Sequence, residues 1–187
     1  MDQPMRCHYE FPDGQAEDWW DSEDENSYHE AAHIAIANIY GLELLPEGIL
    51  IFESASASKS LEGSAYYREG DLDDIENRKR VLVALIAGMR AQDRKFPEMA
   101  PHSSLSDEPK FCEILRRFDC KPSREAVNEE CARLLGMHWP LIEATALALL
   151  QQPWRDAAEE ERKSGWGRKK QLSLESILAI VRQHWAT

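Results

Sequence analysis

Apolar positions recur at helical spacing over most of the chain, and one short β-branched and aromatic run stands apart from that pattern. Tyr28, Ala31, Ala32, Ala35, Ile36 and Ile39 share one face of a 3.6-residue period. Ser22 and Glu25 form a Ser-x-x-Glu capping pattern ahead of them, and Gly41 follows as a stop. A first helix is therefore predicted from about Ser22 to Tyr40. Residues 48–54, Gly-Ile-Leu-Ile-Phe-Glu-Ser, are the β-branched and aromatic run and read as a strand. Small polar residues from Ala55 to Gly63 form a loop, and Ser64–Arg68 is expected to pair back as a second strand. A long helix follows from about Asp71 to Phe96, acidic in its first turns, with Leu82, Leu85, Ile86 and Met89 as its buried stripe.

Pro97 and Pro101 bracket a loop, after which a helix is predicted from near Ser106 to about Phe118. Ser123–Gly136, Pro140–Gln151 and Ser173–Trp185 are amphipathic helices, with Lys163–Lys170, which contains Gly165 and Gly167, as a loop. The fold class expected is mainly α: a helical domain over residues 22–187 with one small β-hairpin. Residues 1–21 are polar, acidic and broken by Pro4, Pro12 and Gly14. They read as an arm or lid, and the Trp19-Trp20 pair is expected to pack it onto the body.

Composition narrows the function classes. The chain has 187 residues, 43% hydrophobic and 30% charged, which suits one globular domain. Its formal charge of −12 repels a phosphate backbone, so nucleic acid is not expected as a partner. No membrane span is expected, because no apolar run reaches the necessary length. Met1-Asp2-Gln3-Pro4 lacks the layout of a signal peptide. Cys7, Cys112, Cys120 and Cys131 have no Cys-x-x-Cys spacing and read as reduced thiols of a cytoplasmic protein, not as zinc ligands.

The candidate chemistry sits inside the first helix. His29-Glu30-Ala31-Ala32-His33 is a His-Glu-x-x-His motif. Residues four apart on a helix differ by about 40° around the axis and about 6 Å along it, so both imidazoles can reach one ion. Zn2+ is the expected metal, with His29 and His33 as ligands. Glu30, about 100° further round, can touch a metal-activated water and act as the base. A competing reading exists, since Ser27-x-x-Glu30 is itself a capping pattern that would turn Glu30 back onto the backbone. His8, His138 and His184 have no partner at ligand spacing, and Trp139, Trp154, Trp166 and Trp185 suit core or interface positions.

Tyr28-His29-Glu30-Ala31-Ala32-His33 with the following Ile34-Ala35-Ile36-Ala37 resembles the zinc helix of the M41 peptidases. These are the proteolytic domains of the membrane-bound AAA+ proteases called FtsH, and stand-alone relatives lack the ATPase. Val81–Gly88 is similar to the family's apolar helix ending in Ala-Gly, and Leu105-Ser106-Asp107-Glu108 matches the place of its third ligand. The resemblance thus implies Asp107 as third ligand, with Glu108 and His102 as substitutes. It also places the strand Ile49, Leu50, Ile51 and Phe52 beside the active site as an edge that holds an extended substrate. Ala32 stands where the family usually has Gly, and Met89-Arg90-Ala91-Gln92 replaces a common Ala-Ala-Glu run.

The function expected from these readings is a zinc-dependent metalloendopeptidase that cuts unfolded or exposed polypeptide segments. No Gly-x-x-x-x-Gly-Lys-Ser/Thr loop occurs, so a separate unfoldase or adaptor would have to deliver folded substrates. The alternative is an inactive relative serving as a regulatory or adaptor module with a structural metal site. Monomer, dimer and hexamer remain open.

Overall fold

The computed structural model describes residues 22–55, 61–97, 107–119 and 121–186. The N-terminal arm with Trp19-Trp20 and His8, together with Cys7, Cys120, His102 and Leu105-Ser106, lies outside the described residues. Among the described residues the chain runs α1 (Glu23–Ile39), β1 (Leu44–Ser54), β2 (Leu61–Tyr67), α2 (Ile75–Lys95), α3 (Asp107–Arg117), α4 (Arg124–Leu150), β3 (Arg155–Asp156), α5 (Glu159–Lys163), β4 (Trp166–Leu172) and α6 (Leu174–Trp185). The protein is mainly α, with one small antiparallel sheet.

α1 starts where its cap predicts. The Ser22 hydroxyl accepts from the Glu25 amide and the Glu25 carboxylate accepts from the Ser22 amide, closing the capping box. Ser27 is therefore mid-helix, and Glu30 is not diverted into a cap. Every residue from Glu25 to Ala37 is buried, so α1 is a central helix and not the one-sided amphipathic helix its apolar face suggests. Its alanines allow this: small side chains let α2 and α4 on one side and β1 and β2 on the other approach closely.

The sheet is larger than a hairpin, in the order β2-β1-β4-β3. The hairpin of β1 and β2 is present, with Ile51 opposite Gly63 and Phe52 opposite Glu62. Lys163–Lys170, expected as a loop, instead holds the last residue of α5 and most of β4, which pairs Ile51 with Lys170 and Phe52 with Lys169. The basic residues masked a strand because their charges are satisfied individually. Lys170 is buried, with its ammonium on the Glu23 carboxylate and 2.7 Å from the Leu150 carbonyl, and Arg168 pairs with Glu53. Trp154 donates to the same Glu23 at 3.2 Å, which ties the start of α1 to this side of the sheet.

β4 also corrects the edge-strand expectation. Ile49, Leu50, Ile51 and Phe52 pair with β2 on one side and β4 on the other, so their main chain is already used. A run apolar on both faces belongs in the middle of a sheet. All four are buried, and the Phe52 ring stacks on Trp166. Among the described residues the edges of the sheet are β2 and β3, and β2 is the one beside β1.

The two helices expected at 123–136 and 140–151 are both present within α4 and meet at a kink at His138, where the backbone leaves helical geometry (φ −114°, ψ 17°). Pro140 removes one helical donor and accounts for the bend. No helix of the described residues is long and apolar enough to cross a membrane.

Candidate metal centre

Three elements meet at the middle of α1. α1 contributes His29, Glu30 and His33, all buried; α2 backs them; and α3 begins at Asp107. One turn of helix sets the imidazoles side by side, with ring centroids 4.6 Å apart. The Asp107 Oδ2 atom lies 2.8 Å from His29 Nε2 and 3.0 Å from His33 Nε2. One ligand atom from each of His29, Glu30 and His33 also lies within 4.8 Å of the others. Glu108 turns away: its carboxylate is 2.6 Å from Arg124 and accepts from the Cys112 thiol. Of the possible third groups, Asp107 is therefore the one brought to the imidazoles.

Asp107 is held there by the seating of α3. Phe111 and Ile114 bury its apolar face, Arg124 lies over the Phe111 ring, and Lys110 pairs with Glu69 just beyond β2. Cys131 is a buried structural thiol, its pKa pushed up to about 12 by burial and, to a smaller extent, by Glu130.

The other ring nitrogens decide what the three groups can do. His29 Nδ1 is 2.9 Å from the Gln92 side-chain oxygen, and His33 Nδ1 is 2.7 Å from the Ala84 carbonyl. The Ala84 carbonyl only accepts, so His33 Nδ1 carries the hydrogen; the Gln92 oxygen set against His29 Nδ1 favours the same form there, in which a neutral ring presents a bare Nε2 lone pair to Asp107. Burial raises the Asp107 pKa, but the adjoining His33 and His29 outweigh it and hold the carboxyl well below the usual range. Burial likewise works against protonation of His33. The Asp107 charge, the Asp107 hydrogen bond and the Ala84 hydrogen bond together raise its pKa nevertheless. Two lone pairs and a carboxylate at such distances repel unless a cation lies among them: a proton on an imidazole, or a metal ion.

The donor set fits zinc. Ligand atoms about 2.0–2.1 Å from a tetrahedral ion are roughly 3.3 Å from one another, so the observed separations need to open by only about 0.3–0.5 Å. Space is provided by glycine. A Cβ on Gly88 of α2 would stand 2.4 Å from His29 Nε2 and 2.6 Å from His33 Nε2. A Cβ on Gly63 of β2 would stand 2.4 Å from Glu30 Oε1 and 2.6 Å from its Cγ. The two glycines clear the metal position and the carboxylate seat respectively. Tyr67 closes the far end of β2. Burial, and after it the Asp107, Glu69 and Glu30 carboxylates, raise its pKa, so its hydroxyl remains a donor.

Ala84, Gly88, Gln92 and Gly63 were not foreseen as site residues. A glycine inside a strongly helical pattern is costly and hints at a close approach, which was the one readable signal for Gly88. The pairing of His29 with Gln92, 63 positions away, left none. No protein-family model matches this chain, and no curated protein sequence matches it either.

Proposed function

We propose that this protein is a zinc-dependent peptidase of the FtsH type, lacking an ATPase in this chain. The observation that carries the reading is the convergence of His29 Nε2, His33 Nε2 and Asp107 Oδ2 while both Nδ1 atoms lie against carbonyl oxygens. Such a set is built to hold a borderline metal ion, with the backing hydrogen bonds that metal-ligating histidines ordinarily make.

A zinc ion bound there supplies Lewis acidity, polarising a scissile carbonyl and lowering the pKa of water toward neutrality. The chain does the rest. Glu30, one residue from His29 and set against Gly63, takes the water's proton and returns it to the leaving amine. β2, an edge strand among the described residues, runs next to that carboxylate, where an extended peptide can add by main-chain hydrogen bonds. Gly63 keeps this edge close to Glu30 and so brings the peptide bond to the base.

The test is zinc content followed by cleavage of an unfolded protein such as casein, with and without a chelator. Zinc near one per chain with chelator-sensitive cleavage supports the enzyme. Zinc bound without cleavage favours a metal-stabilised binding module, and wild-type protein that binds no zinc sinks both.

A further inference from the structure

Ala84, Gly88 and Gln92 are spaced four apart on α2 and make one stripe facing the zinc-motif turn of α1. Each has a separate task. The Ala84 carbonyl accepts from His33 Nδ1, Gly88 clears both Nε2 atoms, and the Gln92 amide oxygen accepts from His29 Nδ1. The two acceptors differ in kind. A peptide carbonyl can only accept, whereas a glutamine side chain can also turn its NH2 toward the ring and donate. With the amide reversed, the His29 hydrogen would move to Nε2 and that atom could no longer ligate. Neither acceptor carries a charge, although a carboxylate behind a ligating histidine is common and makes the ring a stronger electron donor.

We infer that Gln92 is a positioning residue: it fixes His29 in the Nδ1–H form, and its neutrality keeps the ring a weaker donor, so the bound ion is held less tightly and remains more acidic. This rests on the metal reading of the site and adds a role for a residue outside the His-Glu-x-x-His motif. The side chain acts through His29. It is half-buried on α2, and a glutamate of the same shape could occupy the same place.

The test compares wild type, Gln92→Glu and Gln92→Leu. Zinc affinity is measured by competition with a chromophoric chelator, and the His29 ring nitrogens are observed by nitrogen-15 NMR with and without zinc. Gln92→Glu should tighten zinc by about tenfold or more, and Gln92→Leu should weaken it by about ten- to a hundredfold. His29 should carry its hydrogen on Nδ1 in the wild type and show mixed forms in Gln92→Leu. Thermal unfolding of the metal-free variants identifies a folding defect, and should the leucine variant fail to fold, the isosteric glutamate variant decides the matter. Equal affinities in wild type and Gln92→Glu, or a wild-type His29 protonated at Nε2, overturn the inference. Absence of zinc from wild type counts against the metal reading itself, whereas zinc bound with indifference to residue 92 counts against Gln92 alone.

Discussion

Gly88→Ala separates a metal site from a merely well-packed pair of histidines, because the substitution should change the stability of the metal-free fold little and metal binding greatly. In an exposed helix interior, alanine is favoured over glycine by about 1 kcal/mol. Here the new Cβ would sit 2.4 Å from His29 Nε2, 2.5 Å from His29 Cδ2 and 2.6 Å from His33 Nε2. Those atoms belong to rigid rings whose opposite sides are tied to Gln92 and Ala84, so they cannot yield as the tip of a long side chain would. Crowding of this kind costs about 1–3 kcal/mol. Set against the propensity gain, the metal-free variant should be altered by no more than about 2 kcal/mol and still fold. Metal binding should suffer far more, since displaced ligand atoms lose affinity by at least the roughly 100-fold that losing a supporting hydrogen bond can cost. With zinc at about 100 times the wild-type dissociation constant, binding stabilises the wild type by about 2.7 kcal/mol, and at a hundredfold weaker affinity by only about 0.4 kcal/mol. For a chain of this size these correspond to melting shifts of roughly 5–10 °C and 1–2 °C. Differential scanning fluorimetry with and without zinc reads both numbers from one preparation. An undiminished zinc shift in Gly88→Ala would refute the placement of the ion between the two Nε2 atoms.

Gly63→Ala places its Cβ against the flexible Glu30 side chain, so it should leave zinc affinity within about twofold while cutting peptide hydrolysis by roughly tenfold or more; equal loss of zinc would refute the division of labour between the two glycines. Glu30→Gln should retain zinc and lose about a hundred- to ten-thousandfold in kcat for casein-derived peptides, and intact cleavage would remove Glu30 as base. Asp107→Asn should weaken zinc by at least about tenfold, measured by chelator competition, because the amide is a poorer ligand; unchanged affinity would remove it from the site. In the metal-free protein, the raised pKa of His33 contributes stability that is fully present below its ordinary 6.5 and lost as pH rises through the folded value. The lowered pKa of Asp107 contributes stability present above its ordinary 3.8 and lost as pH falls through its folded value. Chelated protein should therefore lose stability as pH rises above the ordinary 6.5 of His33 and through its folded value, while the zinc-induced melting shift grows, because the metal requires neutral rings; a zinc shift that shrinks as pH rises through that value would contradict the arrangement.

The helices were legible because their signals are local. Ser22 and Glu25 cap α1 as the pattern predicts, and Ser173 caps α6. The sheet was legible only in part. The apolar run at 49–52 announces a strand, but its central position depends on β4, whose Trp-Gly-Arg-Lys-Lys-Gln-Leu sequence conceals its inward face behind long basic side chains. Lys170 is the instructive residue. Its stem lies in the interior and its ammonium is met by Glu23 and the Leu150 carbonyl, partners 147 and 20 positions away that no window of sequence can display.

The site divides along the same line. His29, Glu30 and His33 lie within one helical turn, so spacing alone is enough to state their relation. Asp107 came from a resemblance, and the structure brings it to the rings where it leaves Glu108 on Arg124. What was illegible is the complement of the motif: the carbonyl, the gap and the amide on α2 that back the rings and leave room at their two Nε2 atoms. A helix carrying His-Glu-x-x-His specifies where two nitrogens point, but not whether their lone pairs are bare, and that depends on acceptors supplied by another helix. A chance motif has no reason to face Ala84, Gly88 and Gln92 in register. The stripe on α2 therefore adds to the motif what the five residues alone do not hold: acceptors behind both rings and room before them.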